Sequence, residues 1–158
     1  MVPKMGPDVK AVTAKLSKMP ASGRKFSAWS SAVRKMPPAK RIAMIRQGVD
    51  VTLLIGAGQY YGIPQSKLSS LIGVSDATVT RKVRAGGRLS PQESERLARI
   101  AAAKADAEDV FDSPVLARRW MLEPNLVLGE APLSLLDTDT GAEEVRKVLT
   151  SIAFGGVA

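Results

Sequence analysis

The amino-acid sequence predicts an all-α fold, and three observations lead to this prediction. Only 4% of the residues are aromatic while 45% are hydrophobic, and the apolar residues are mostly Ala, Val and Leu. Small apolar side chains of this kind suit closely packed helices better than a sandwich of sheets. Apolar residues recur at spacings of three and four along much of the chain, and helix-starting and helix-ending residues separate these segments.

The first part of the chain predicts three helices. The first begins at Asp8, a suitable N-cap, and ends near Lys18 before a proline. After the loop "PASGRK", the segment "FSAWSSAVRKM" predicts a second helix with its aromatic residues on one side. The third is expected to run without a break from Pro38 to Gly62, because apolar residues recur at threes and fours.

The elements beyond residue 63 are shorter and more regularly spaced. "PQSKLSSLIG" and "SDATVTRKVRAGG" predict two brief helices. "SPQESERLARIAAAKADAEDVF" predicts a longer one, since Ser90 followed three residues later by Glu93 forms a capping box. "PVLARRWML" and a final helix from about Thr140 to Phe154 complete the fold.

Composition narrows the classes of function. The chain has no His and no Cys, which removes the commonest general base, the usual transition-metal ligands and the thiol nucleophile. Catalysis by paired acids at Asp137 and Asp139 or Glu143 and Glu144 is disfavoured, because adjacent carboxylates diverge on a helix. No apolar run is long enough to span a bilayer. We therefore expect a cytoplasmic, non-enzymatic protein without a cofactor or metal and without a membrane partner.

Charge is unevenly distributed along the chain. Residues 1–47 contain 11 Lys or Arg and one Asp, and residues 48–104 contain eight basic and four acidic residues. Residues 105–158 contain four basic and ten acidic residues. This polarity indicates two partners, a polyanion for the first part and a different one for the last. The alternative is that these are simply differently solvated faces.

The stretch "QSKLSSLIGVSDATVTRKVRAGG" resembles the helix-turn-helix of the Xre and phage-repressor group. Gly73 makes the tight turn, Val74 packs between the two helices, and Ser75 caps the second. We expect Val79 and Val83 to face the core, which leaves the opposite side of the second helix exposed. A helix-turn-helix can also serve only as a packing unit.

The exposed side has the side chains of a major-groove reader, because arginines can bind guanine and threonine can contact thymine. Flanking amide, ammonium and guanidinium groups would bind phosphates. The predicted DNA-binding residues are Gln65, Lys67, Ser75, Ala77, Thr80, Arg81, Lys82, Arg84 and Arg88.

The segment "ARRWMLEPNLVLGEAPLSLLDTDTGAEEVRKVLTSIAFG" resembles the C-terminal toxin-binding domain of the MbcA/ParS/Xre antitoxin family. The large apolar residues Trp120, Leu128, Leu136, Val145 and Leu149 are expected in the core. The predicted domains are a basic N-terminal helical extension, a helix-turn-helix domain and a small helical toxin-binding domain, at residues 1–47, 48–111 and 112–158. The predicted toxin-binding residues are Asn125, Gly129, Phe154, Gly155, Gly156, Val157 and Ala158.

The resemblance implies an antitoxin that blocks the active site of a RES-type toxin, which degrades NAD, or of a related ADP-ribosyltransferase toxin. It also implies repression of the antitoxin's own operon through operator DNA, with a homodimer inside a larger toxin–antitoxin assembly. The slim tail "FGGVA" is either a frayed end or an element that enters the toxin's cofactor cleft. A stand-alone helix-turn-helix regulator with a dimerising C-terminal half is the alternative.

Residues 1–47 lie outside the resemblance. Their cations could add sequence-independent phosphate contacts. Alternatively, their helices pack on the repressor domain with Trp29 as the buried anchor. The basic start of the chain also has the composition of a transit peptide.

Overall fold

A computed structural model describes residues 18–156, and all regular elements in that range are helical, so the predicted all-α fold is confirmed. The predicted helix from Asp8, Val157 and Ala158 lie outside the described residues, apart from Lys18 at that helix's end. The elements are α1 (Ala21–Lys35), α2 (Pro38–Gln47), α3 (Thr52–Tyr61), α4 (Gln65–Ile72), α5 (Asp76–Ala85), α6 (Pro91–Phe111), α7 (Pro114–Leu122), the 3-10 helix Pro132–Asp137 and α8 (Asp139–Ala153).

Contacts within the chain define two compact units. The first unit is Pro20–Ala102 and contains α1 to α5 with the first half of α6. The second unit contains residues 103–156 together with Lys18 and Met19. Among the described helices, none combines the length and the apolar composition that crossing a bilayer requires. Residues 18–156 also contain no group of three Asp or Glu side chains able to hold a metal ion.

The predicted unbroken helix from Pro38 to Gly62 is wrong, because the chain turns at Gly48. This glycine has φ +86°, a left-handed value that ends α2. The carboxylate of Asp50 then accepts bonds from the amide and the hydroxyl of Thr52, at 2.8 and 2.6 Å, and starts α3. Periodic apolar spacing continues across both helices, which is why the sequence pattern hides the break.

The N-terminal helix α1 packs against α3. It begins at Ala21, so most of the predicted loop "PASGRK" is helical. Phe26 is fully buried, with its ring centroid 5.9 Å from that of Tyr60, whereas the predicted anchor Trp29 is half-buried. Gly56 of α3 leaves no space for a Cβ beside the Ser22 carbonyl, so close backbone approach sets this packing.

Two loops of the first unit pair with each other, and we call this pairing the loop bridge (residues 48–51 with 87–89). The amide of Leu89 donates to the carbonyl of Val49 at 2.8 Å, and the amide of Val51 donates to the carbonyl of Gly87 at 3.2 Å. The amide of Val49 donates to the hydroxyl of Ser94 at 2.9 Å. The bridge therefore joins the loop before α3 to the loop after α5 and to α6.

The second unit is built around α7, the 3-10 helix and α8. Leu136, Val145 and Leu149 are buried, as expected, whereas Trp120 and Leu128 are only half-buried. The ring of Trp120 lies 5.8 Å from that of Phe111, measured between centroids.

A charged pair also lies in the second unit. Lys104 is almost fully buried and forms an ion pair with Glu108 at 2.6 Å. Burial lowers the pKa of Lys104, although Glu108 opposes that shift. The charged ammonium therefore carries a desolvation cost, which the ion pair with Glu108 reduces.

Replacing Gly48 tests the loop bridge. In Gly48→Ala the new Cβ would meet the carbonyl oxygen of Leu89 at a left-handed φ, and we expect a loss of about 2–4 kcal/mol of unfolding free energy. Gly86→Ala is the matched control, because Gly86 also has positive φ but faces open space, and should cost only about 1 kcal/mol. Urea unfolding measures both; equal losses would contradict the role assigned to the bridge.

Candidate functional site

Helices α4 and α5 form the predicted helix-turn-helix. Gly73 has φ +75° and makes the turn, and Val74 is buried between the helices. The hydroxyl of Ser75 accepts a bond from the amide of Thr78 at 3.2 Å and caps α5. Ser69 is buried, and its hydroxyl donates to the carbonyl of Gln65 at 3.0 Å, so this buried polar group has a hydrogen-bond partner.

The turn is braced by an arginine that the sequence did not single out. The guanidinium of Arg96, on α6, donates to the carbonyl of Ile72 at 3.2 Å. It also fills the space where a Cβ on Gly73 would stand. Helix α6 therefore holds the turn from outside the motif, a contact that only the tertiary structure reveals.

One side of α5 is exposed, as predicted. The residues on it are Ala77, Thr80, Arg81 and Arg84, and Lys67 is exposed on α4. Thr80 uses its hydroxyl hydrogen on the carbonyl of Asp76 at 3.0 Å and keeps its lone pairs and methyl group outward. This arrangement suits contacts to base edges in a major groove.

The prediction that Val83 faces the core is wrong, because its side chain is 43% exposed, whereas Val79 is buried as predicted. Val83 lies in the last turn of α5, and its inner side faces a cleft of about 450 Å³ rather than a packed helix. The cleft is lined by Ile55, Gln65, Ser66, Asp76, Val79, Thr80, Val83 and Arg84. The four-residue spacing predicted the correct side of the helix but not how far the core extends.

Several predicted phosphate contacts are already engaged inside the fold. The ammonium of Lys82 lies 2.9 Å from the carboxylate of Glu93, and Arg88 donates to the carbonyl of Gly48 at 2.9 Å. Gln65 is half-buried against Gly58, and its side-chain nitrogen has no hydrogen-bond partner in the described part of the chain. Among the predicted DNA-binding residues, the exposed cations that make no such bond are Lys67, Arg81 and Arg84.

Glu93 connects α5 to the start of α6. Its carboxylate accepts from the amide of Ser90 at 2.8 Å, and its amide donates to the Ser90 hydroxyl at 3.2 Å, so the capping box is confirmed. Burial raises the pKa of Glu93, but the bonds from Ser90 and Lys82 outweigh it, and the net shift is downward. The charged carboxylate is therefore part of the structure.

In the second unit, Asn125 organises a tight turn. Its side-chain oxygen accepts from the amides of Val127 and Leu128 at 2.9 and 3.1 Å. Its carbonyl accepts from Gly129, which has φ +84°, at 2.8 Å. Asn125 thus satisfies backbone groups, and both predicted residues, Asn125 and Gly129, shape the turn.

The turn presents two apolar side chains that sequence reasoning missed. Leu126 is 100% exposed and Val127 is 63% exposed. Adjacent exposed apolar side chains form a contiguous apolar surface, and such surfaces can mark interaction sites. The sequence feature that could have identified them is the run of three apolar residues between the turn residues Asn125 and Gly129.

A left-handed glycine and a backbone hydrogen bond hold the chain at the end of α8. Gly155 has φ +81°, and the amide of Gly156 donates to the carbonyl of Ser151 at 2.6 Å. These bonds close the helix in the manner of a C-cap. Phe154 stands 88% exposed beside them.

Comparison with known proteins matches two family models. Residues 40–102 match the antitoxin Xre-like helix-turn-helix domain, and residues 106–155 match the antitoxin Xre/MbcA/ParS C-terminal toxin-binding domain. The chain is 32% identical to "Antitoxin Xre" of Yersinia enterocolitica over 75% of its own length and 84% of that protein. It is 28% identical to the "Prs ADP-ribosylating antitoxin" of Sphingobium sp. strain YBL2, over 80% and 86% respectively. It is 27% identical to "Antitoxin Xre" of Photorhabdus laumondii, over 73% and 80%.

Substituting Glu93→Gln tests the link between α5 and α6. The amide keeps the shape but loses the charge, and we expect a loss of about 1–2 kcal/mol near neutral pH. Because the folded pKa of Glu93 lies below its ordinary value of 4.5, this stabilisation is present above that value and disappears as pH falls through the folded pKa. Urea unfolding at several pH values should show the gap between wild type and variant closing on acidification.

The control for this prediction is Glu95→Gln, on the exposed side of the same helix. It should change stability by less than about 0.5 kcal/mol at any pH. A gap between wild type and Glu93→Gln that stayed constant into acid would contradict the assignment.

Proposed function

The chain belongs to the Xre/MbcA/ParS antitoxin family, and we propose that it blocks the active site of an NAD-consuming toxin and represses its own operon. It is an antitoxin with a helix-turn-helix domain and a toxin-binding domain. The observation that carries the proposal is the exposed apolar turn of the toxin-binding domain, where Leu126 and Val127 contact solvent. The exposed side of α5 supports the second activity.

The toxin contact is centred on the Asn125 turn. An apolar side chain held in water by a rigid turn gains free energy when a partner covers it, at about 25 cal/mol per Å² of apolar surface. The side-chain oxygen of Asn125 accepts bonds from two backbone amides and holds the turn in place, so less conformational entropy is lost on binding. Leu126 and Val127 are therefore proposed as anchors, together with Phe154 at the end of α8.

The charge of the C-terminal part supports an NAD-binding toxin. Residues 105–158 hold ten acidic and four basic residues. An enzyme that binds the pyrophosphate of NAD needs cations at its cleft, and an acidic partner would be steered toward them. The name of the Sphingobium relative associates that protein with ADP-ribosylation, which supports a RES-type or ADP-ribosyltransferase toxin here. Gly155, Gly156, Val157 and Ala158 are proposed to approach the cleft behind Phe154.

Operon repression is proposed to use α5 in the major groove. Thr80, Arg81 and Arg84 would contact base edges, and Lys67 would bind a phosphate. A single helix-turn-helix reads only a short sequence, so we propose a homodimer that binds two half-sites about 34 Å apart. This dimer would sit within a larger assembly with the toxin.

Making the apolar turn charged tests the toxin contact. We expect Leu126→Asp combined with Val127→Asp to weaken toxin binding at least about tenfold, because charged side chains would replace the two apolar anchors that the toxin is proposed to cover. Co-purification with the toxin encoded beside it, together with growth rescue, measures the effect. Ser134→Asp, at another exposed position of the same unit, is the control and should bind normally. Full neutralisation by the double variant would disprove the proposed anchor.

Changing α5 tests repression separately. Thr80→Ala with Arg84→Gln should weaken binding to the DNA upstream of the gene by about tenfold or more, since each base contact contributes about 1–3 kcal/mol. Toxin neutralisation should be unchanged. Fluorescence anisotropy with the upstream and a scrambled duplex measures discrimination, and Arg146→Gln on α8 serves as the control. Undiminished preference for the upstream duplex would argue against α5 as the reading helix.

A further inference from the structure

Residues 18–47 form a cationic segment with no role in the proposed base contacts. They contain eight Lys or Arg residues and no Asp or Glu. The segment comprises α1, α2 and the short turn between them. Surface helices usually pair their cations with acids one turn away, which lowers the local potential. The segment itself contains no such acid.

Helix α1 separates its apolar and its charged sides. Its buried residues are Gly23, Phe26, Ser30 and Val33. The opposite side carries Arg24 and Lys35, eleven residues and about 16 Å apart along the axis. Between them lie the small exposed residues Ala28, Ser31 and Ala32. The outward side is therefore slim in the middle and positively charged at both ends.

Helix α2 extends this charge beyond α1. None of its residues is buried, and Lys40 and Arg46 are exposed. Within residues 18–156, no ion pair joins Lys35, Lys40 or Arg46 to an acidic side chain. These cations remain fully available to a solution partner. We call these three exposed cations of the two helices the α1–α2 basic face (Lys35, Lys40 and Arg46).

The α1–α2 basic face is fixed to the domain that carries α5. The backbone amide of Gly23 donates to the side chain of Gln59 at 3.1 Å, and Phe26 packs against Tyr60. Bonds from Thr52 lower the pKa of Asp50, and the positive charges of Lys25 and Arg88 lower it further. Lys25 therefore lies near the 48–51 side of the loop bridge, and the other side of the bridge, residues 87–89, follows α5.

We propose that the α1–α2 basic face is a second DNA-binding surface, which contacts duplex phosphates without regard to sequence beside the site read by α5. The inference rests on the proposed DNA binding of the helix-turn-helix. Uncompensated cations on a rigid surface suit phosphates, because each contact releases condensed counterions.

The side chains of α1 favour nucleic acid over a membrane surface. A helix that lies in a lipid headgroup region needs large apolar residues on the side that faces the bilayer. The exposed side of α1 has alanine and serine between its cations, while Phe26 packs against Tyr60 of α3. The match to the family helix-turn-helix model begins only at residue 40, so α1 lies outside that family model.

The experiment neutralises three cations of the face, as Lys35→Gln, Lys40→Gln and Arg46→Gln in the full-length chain. Fluorescence anisotropy follows binding to the upstream duplex and to a scrambled duplex over a range of NaCl concentrations. We expect both affinities to fall by the same factor, and the slope of log K against log salt to become shallower by about 2–3. The charge-retaining exchange of Lys35 and Lys40 to Arg should restore wild-type behaviour.

The matched control removes three positive charges from the second unit, as Arg119→Gln, Arg146→Gln and Lys147→Gln. It should leave the salt slope unchanged, and circular dichroism checks that both triple variants remain folded. An unchanged slope for the α1–α2 variant overturns the inference, as does weaker binding only to phosphatidylserine vesicles or to the co-expressed toxin. The scrambled duplex separates the two proposals: wild type that fails to prefer the upstream duplex refutes repression, yet the slope on either duplex still tests the basic face.

Discussion

The loop bridge is the constraint on which the first unit depends. Backbone bonds between residues 48–51 and 87–89 join the start of α3 to the end of α5, and the hydroxyl of Ser94 adds α6 to the same point. Because these backbone amides and carbonyls pair with each other, they have hydrogen-bond partners without a β-sheet around them. Gly48 permits the close approach because a Cβ there would meet the Leu89 carbonyl. The orientation of α5 relative to α3 therefore follows from one short stretch of paired backbone.

The polar side chains around α5 divide into two groups. Lys82, Arg88 and Ser75 are held by bonds within the fold, and they position α5. Thr80, Arg81 and Arg84 point outward and are left for a ligand. A similar division occurs in the second unit, where the bonds of Asn125 fix a turn and its neighbours Leu126 and Val127 stay in solvent. In both places, internal bonding holds the backbone that carries the exposed side chains.

The sequence predicted the fold class, the helix-turn-helix and the capping box because these depend on local patterns. Residues such as Gly73, Ser75 and Glu93 act through neighbours a few positions away, and spacing alone identifies them. Prediction from the sequence failed where contacts between distant residues determine the structure. The break at Gly48 depends on a strand-like pairing forty residues away, and the exposure of Val83 depends on where α3 and α4 stop covering α5. Leu126 was missed because apolar residues are ordinarily assigned to the core.

The brace between Arg96 and Gly73 also bears on how this fold can change over evolutionary time. The guanidinium occupies the space beside the glycine, so a side chain at position 73 would displace it and break its bond to the Ile72 carbonyl. A residue with a Cβ at position 73 would also be strained by the left-handed φ of +75°. The two positions are therefore coupled although they are 23 positions apart in the sequence, because a side chain at position 73 would also release the brace that α6 places on the turn.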